Sequence, residues 1–324
     1  MFLKLSGFTR AGLCAGVMAS MALLASCGGG STEQTFFASR VIALGDEMSV
    51  IGDKTGVTAN AAKAKYSVNA LVAGSTSDFD CTANPLWVQM IATIYGLVFP
   101  QCAGATAEPV SRIRATNGAT VDSLNAQIDE QMSQGGFSTG DMVTILVGAN
   151  DVVAQFSQQT TLTEAQMLAN LDAAGTALAN QVNRLATLGP RVLISTIPDM
   201  GLAPFAGDRS AGSTDSNPAL LSRLSARFND AMLANITNDG HKIGLIQLDE
   251  YLQVNDAAAK FGQGNFNNTT LASCAVALPN CSTNTLVADA VGKVWMWADG
   301  RRLSASAQSN LGSLAITRAQ NNPF

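Results

Sequence analysis

The chain has one histidine, His241, in 324 residues. That scarcity leaves a single imidazole for acid–base work and speaks against a histidine-built metal centre. No Cys-x-x-Cys spacing occurs either, so no metal and no other cofactor is expected. Charged residues make up only 13% of the chain and no basic cluster is present, which argues against a nucleic-acid partner. No internal repeat, low-complexity tract or Pro/Gly-rich linker divides the chain, apart from one short glycine run near the start. What remains is 47% hydrophobic, enough for a large core in a single domain.

The first residues read as a targeting segment. Lys4 and Arg10 give a positive start, and Ala11 to Leu24 is an apolar stretch too short to span a bilayer comfortably. Leu24-Ala25-Ser26-Cys27 then matches a bacterial lipobox, so Cys27 is the expected lipidation site. An ordinary signal peptide cut elsewhere is the alternative. Gly28-Gly29-Gly30-Ser31-Thr32 continues as a flexible tether. The expected organisation is a signal over residues 1–26, a lipidated cysteine and tether over 27–37, and one domain over 38–324. Such a protein belongs in a bacterial envelope, attached to a membrane by its lipid. Gly28 after the cysteine is compatible with the outer membrane, facing the periplasm or the surface. Removing residues 1–26 leaves 17 Lys and Arg against 24 Asp and Glu, a balance of −7 that favours solubility. A monomer is expected.

Six cysteines occur. Cys14 lies in the signal and Cys27 takes the lipid. The other four are an even number in an oxidising compartment. Three pairings are open; Cys81–Cys102 and Cys274–Cys281 are expected because each closes a short polar loop.

Short apolar runs alternate with helical patterns, which predicts a doubly wound, five-stranded parallel sheet in a three-layer α/β/α sandwich of flavodoxin-like type. The strands are read at Arg40–Leu44, Ser111–Ala115, Met142–Val147, Arg191–Ile197 and Ile243–Leu248. Helices are read at Leu86–Tyr95, Val121–Met132, Thr163–Leu188, Pro218–Ile236 and about Leu303–Ala319, from apolar residues three and four apart. Residues 52–110 and 254–292 are two long excursions, either functional or disulfide-stapled surface decoration.

Four polar blocks fall at strand ends or helix entries, where doubly wound sheets bind ligands. They are Gly45-Asp46-Glu47, Asn117-Gly118-Ala119, Gly148-Ala149-Asn150-Asp151 and Asp299-Gly300-Arg301-Arg302. Together they resemble the active-site blocks of SGNH/GDSL esterases and lipases. Ile197-Pro198-Asp199-Met200-Gly201, Phe228-Asn229 and Asp249-Glu250-Tyr251 resemble further motifs of bacterial GDSL-type esterases. The resemblance covers the chain from about Ala38 and implies hydrolysis of carboxylic esters by acyl transfer.

In that family a serine follows Gly-Asp, and the last block is Asp-x-x-His. Here Glu47 stands at the serine position and Arg302 at the histidine position, with Leu303 where the family has proline. The resemblance leaves Asp299 as the acid, Gly118 and Asn150 as oxyanion donors, and Gly45, Asp46, Gly148 and Asp151 as supporting residues. Ser49 reads as local turn packing. His241 reads as a loop residue at the far edge of the sheet. Arginine stays protonated and cannot act as a base. An ester attacked by Glu47 would give a reactive anhydride. A catalytically degenerate family member is therefore expected, its cleft holding a small ester, acyl or glycan ligand. The swapped pair is complementary in charge, so Arg302 is expected to bridge Glu47 and Asp299, with Glu47 leaning into the donors Gly118 and Asn150. Two alternatives stand beside this. One is an active hydrolase using the Glu47/Asp299 carboxylates, on glycosides or with a divalent ion. The other is an interaction protein using residues 254–292.

Overall fold

A computed structural model describes residues 36–52, 62–104, 110–207, 217–237 and 242–321. The signal, Cys27, the tether up to residue 35 and His241 lie outside the described residues. Phe37–Phe324 forms one compact unit.

In chain order the strands are β1 (Arg40–Gly45), β2 (Ala70–Leu71), β3 (Phe79–Asp80), β4 (Arg112–Ile113), β5 (Asp141–Leu146), β6 (Arg191–Ser195), β7 (Ile243–Ile246), β8 (Asn268–Ala272) and β9 (Trp295–Trp297). The helices are α1 (Trp87–Ile94), α2 (Val121–Ser133), α3 (Ala149–Phe156), α4 (Glu164–Thr187), α5 (Pro218–Asn235), α6 (Leu248–Ala259) and α7 (Ala305–Gln320). The expected sheet is present: five parallel strands in the order β4-β1-β5-β6-β7. Strands such as Val41-Ile42-Ala43-Leu44 are apolar on successive residues because helices cover both faces. Helices α1 and α7 pack together, α1 touching β1 and α7 touching β7. Helices α2, α3, α4 and α5 pack among themselves, with α2 on β1 and α4 on β6.

The chain reverses winding direction between β1 and β5, which opens a crevice at the carboxyl ends of those strands. Gly148, at φ +126°, makes the turn from β5 into α3. A Cβ there would collide with the ring of Phe228, which fills the space beneath it from α5.

Both excursions carry elements of their own, β2, β3 and the expected helix α1 in the first and β8 in the second. Residues 248–259 are helix α6, so the second excursion starts at about 260. The helical pattern is weak there because Asn255 and Asp256 face inward, with Thr269 donating to Asp256 at 2.7 Å. Helix α3 was also not visible in the pattern, being only eight residues long. Strand β4 is two residues rather than five. The excursions meet. Asn69 donates its amide to the carbonyls of Pro279 and Cys281, and Val68 packs with Cys281 and Ala298. The disulfides Cys81–Cys102 and Cys274–Cys281 are both present and staple this joint wall beside the crevice.

Candidate active site

Strand β1 ends at Gly45, whose N–H and C=O are clamped by one side-chain amide. Gln127 of α2 accepts from the N–H at 2.7 Å and donates to the C=O at 2.8 Å. Asp46 then caps a short 3-10 turn over Glu47–Ser49, its Oδ1 accepting from the Met48 N–H at 3.0 Å. Burial first, and then the adjoining Glu47 charge, push the Asp46 carboxyl well above the usual aspartate range. Among the described residues its Oδ2 has no hydrogen-bond partner. Ser49 is fully buried and accepts from the Trp87 indole at 3.1 Å.

The turn aims Glu47 into the crevice, only 4% exposed. Its Oε2 accepts from the Gly118 N–H at 3.0 Å and from Asn150 Nδ2 at 3.0 Å. Its Oε1 accepts from Arg302 Nε at 3.0 Å. The second Asn150 amide hydrogen goes to the Ala119 carbonyl at 3.0 Å, which fixes the orientation of that side chain. Arg302 Nη1 donates to Asp299 Oδ2 at 2.8 Å. Asp299 Oδ1 in turn accepts from the backbone N–H groups of Arg301 and Arg302, at 2.9 and 2.8 Å. The Tyr66 ring, from the first excursion, lies 5.8 Å from the guanidinium carbon of Arg302.

Burial by itself would raise the Glu47 carboxyl. The Arg302 charge, the Asn150 amide and the N–H groups of Glu47 and Gly118 outweigh it and hold the group below the usual glutamate range. Burial likewise opposes the Arg302 charge, but Glu47 and Asp299 together keep it more firmly protonated than an ordinary arginine. Asp151 has a different task. It accepts from the Val121 N–H at 3.1 Å, capping α2, and burial raises it to about 6.

The structure thus brings Glu47, Gly118, Asn150, Arg302 and Asp299 into one hydrogen-bonded set, with Gly45, Asp46, Gly148 and Asp151 shaping the turns around it. The other motifs are supports. Asn229 accepts from the Ile197 N–H and donates to its C=O, both at 3.0 Å, and donates also to Asp249. That ties the end of β6 to the start of α6. Sequence reasoning passed over Gln127 and Tyr66. Gln127 left a signal: it sits between Leu124 and Ile128 on the buried stripe of α2, where a polar residue needs a partner.

Among the described residues, no group of three or more His, Cys, Asp or Glu can hold a metal ion. No described helix is long and apolar enough to cross a membrane.

A doubly wound sheet with Gly-Asp, Gly, Asn and Asp blocks converging at its carboxyl edge is the architecture of SGNH-type ester hydrolases. The sequence profile of the GDSL-like Lipase/Acylhydrolase family matches residues 74–314, and the chain belongs to that family. No curated protein matches the sequence significantly. Among solved structures, the chain is similar to the extracellular lipase of Streptomyces rimosus, at 14% identity, 88% of this chain and 100% of that one covered, and a TM-score of 0.44. It is similar to the lipase Lip_vut3 from a goat rumen metagenome, at 12% identity, 88% and 99% covered, and a TM-score of 0.49. It is also similar to Axe2, an acetylxylan esterase from Geobacillus stearothermophilus, at 11% identity, 90% and 99% covered, and a TM-score of 0.44.

Proposed function

We propose that this protein is a lipid-anchored envelope protein whose GDSL-type cleft binds a small ester, acyl or glycan ligand without serine-based hydrolysis. One observation carries the reading. The Glu47 carboxylate lies on the donors Gly118 and Asn150, the residues that in the family hold the oxyanion of the tetrahedral intermediate. The side chain at the nucleophile position therefore occupies the space an intermediate needs. Its partner at the base position is a guanidinium that cannot accept a proton. In a serine hydrolase, loss of nucleophile and base lowers turnover on the order of 10⁴–10⁶-fold. The contacts of Glu47 also weigh against a carboxylate general acid, because an acid needs a raised pKa and Glu47 is held ionised. The lipobox at Cys27 supports anchoring in an envelope membrane.

The test is p-nitrophenyl acetate hydrolysis and fluorophosphonate labelling of the wild type beside Glu47→Ser/Arg302→His. The wild type is expected to show neither activity nor label, while the double variant gains both. Labelling of the wild type would refute the reading.

A further inference from the structure

The amino edge of the sheet, opposite the crevice, gathers cations in an acidic protein. Arg40, Arg112 and Arg191 open β1, β4 and β6, and Lys242 immediately precedes β7. The last turn of α4 brings exposed Arg184 to the same edge, because α4 leads back into the start of β6. Among the described residues the acids near these cations are few, and Asp239 stands three positions before Lys242 in the sequence. Asp141 is buried against Arg40, Glu130 is held by Arg114, and Asp129 is exposed. At the carboxyl edge stand Asp122, Asp151, Asp199, Asp249 and Asp299, with Arg301 and Arg302 beside the last.

Apolar side chains stand out from the cationic edge. Phe37 before β1 is 70% exposed, Met132 at the end of α2 is 45%, Val110 before β4 is 41%, and Leu188 after α4 is 36%. A hollow of about 330 Å³ lies at the same edge, lined by Asn183, Thr187, Thr237 and Lys242. Exposed apolar groups among cations form the pattern that seats a protein on an anionic lipid surface. The chain also enters the domain here. Nine residues, 28–36, separate Cys27 from Phe37, and fully extended they reach about 30 Å. A lipid at Cys27 would hold this edge at high local concentration beside the membrane.

We propose that the amino edge docks on anionic phospholipid headgroups, with a headgroup phosphate in the Lys242 hollow, and turns the Glu47 crevice away from the bilayer. The local concentration rests on the lipid-anchor reading; the surface itself does not. The first test therefore uses residues 27–324 carrying Cys27→Ser, which has no acyl chain. It is expected to sediment with phosphatidylglycerol vesicles, not with phosphatidylcholine vesicles, and to be released by salt. Arg184→Glu/Lys242→Glu is expected to weaken that binding about tenfold or more, with an unchanged circular dichroism spectrum. The second test is amine footprinting of the full acylated protein on the same vesicles. Lys242 should be protected and Lys63, near the Ile51–Lys65 bridge on the crevice side, should stay reactive. Equal binding by the charge-reversed variant, or protection of Lys63 in place of Lys242, overturns the proposal. The mass of the Cys27 peptide reads the anchor separately. An unacylated Cys27 with Lys242-dependent binding removes the anchor and leaves the docking edge in place.

Discussion

Arg302 Nε lies 3.0 Å from Glu47 Oε1, across 255 positions of sequence. Each partner is also held elsewhere, Glu47 by Gly118 and Asn150, and Arg302 by Asp299. A buried ion pair is tolerable only when its remaining lone pairs and protons find partners, and here both carboxylate oxygens of Glu47 do.

Breaking this pair should be costly and removing it whole should not. Glu47→Ala leaves Arg302 with one acid, and Arg302→Ala leaves an unpaired carboxylate in a buried turn. Each is expected to cost about 3 kcal/mol in urea unfolding. The double variant should cost clearly less than the two together, with a coupling of about 2 kcal/mol. Simple additivity would show that the contact contributes nothing to stability.

Asp151 should make the protein less stable as pH rises from 5 to 7. Its folded-state pKa is about 6, above the ordinary aspartate value, so between these values the folded state binds more protons than the unfolded one. Stability from this group is therefore present at low pH and is lost on the way to pH 7, by about 1 kcal/mol over that interval. Asp151→Asn keeps an acceptor for the Val121 N–H and should remove that part of the slope. An NMR titration of the Asp151 carboxyl gives the value directly. Glu47 has the opposite sign, its stabilisation being present above the ordinary glutamate value and lost below it.

Gln127→Leu should be more destabilising than its volume change implies. It leaves the buried Gly45 N–H without its partner, at about 1–3 kcal/mol, while the Gly45 C=O keeps only the Thr116 N–H at 3.1 Å. Unfolding measurements check the magnitude. A crystal structure of the variant should show the Glu47 turn displaced from Gly118.

Gly148→Ala should cost about 3 kcal/mol or more, since the residue needs both φ +126° and the absence of a Cβ. Trimming the obstacle with Phe228→Leu should recover only part of the loss, because the backbone strain persists. Full recovery would mean that the ring alone sets the requirement.

Much of the fold is legible because burial on both faces leaves a continuous apolar signal. Val41-Ile42-Ala43-Leu44 and Met142-Val143-Thr144-Ile145-Leu146 carry it without ambiguity. Helix α6 fails that test because two of its inward positions are Asn255 and Asp256, whose partners come from elsewhere in the chain. The Gln127 clamp left only a polar residue on an apolar stripe, and nothing local points to Gly45, 82 positions away. The wall formed by the two excursions was equally hidden, since it depends on Asn69 finding carbonyls more than 200 residues downstream.

The sequence by itself determined the chemical types at the site: a carboxylate where the family places its serine, a guanidinium where it places its histidine, and the Gly and Asn blocks between them. It also determined the five strands of the main sheet, because apolar runs can be satisfied only inside a covered sheet. The tertiary structure decided which oxygen meets which donor. Convergence of β1, β4 and β5 with the Asp299 turn buries Glu47 almost completely, and a carboxylate so desolvated settles on the donors within range.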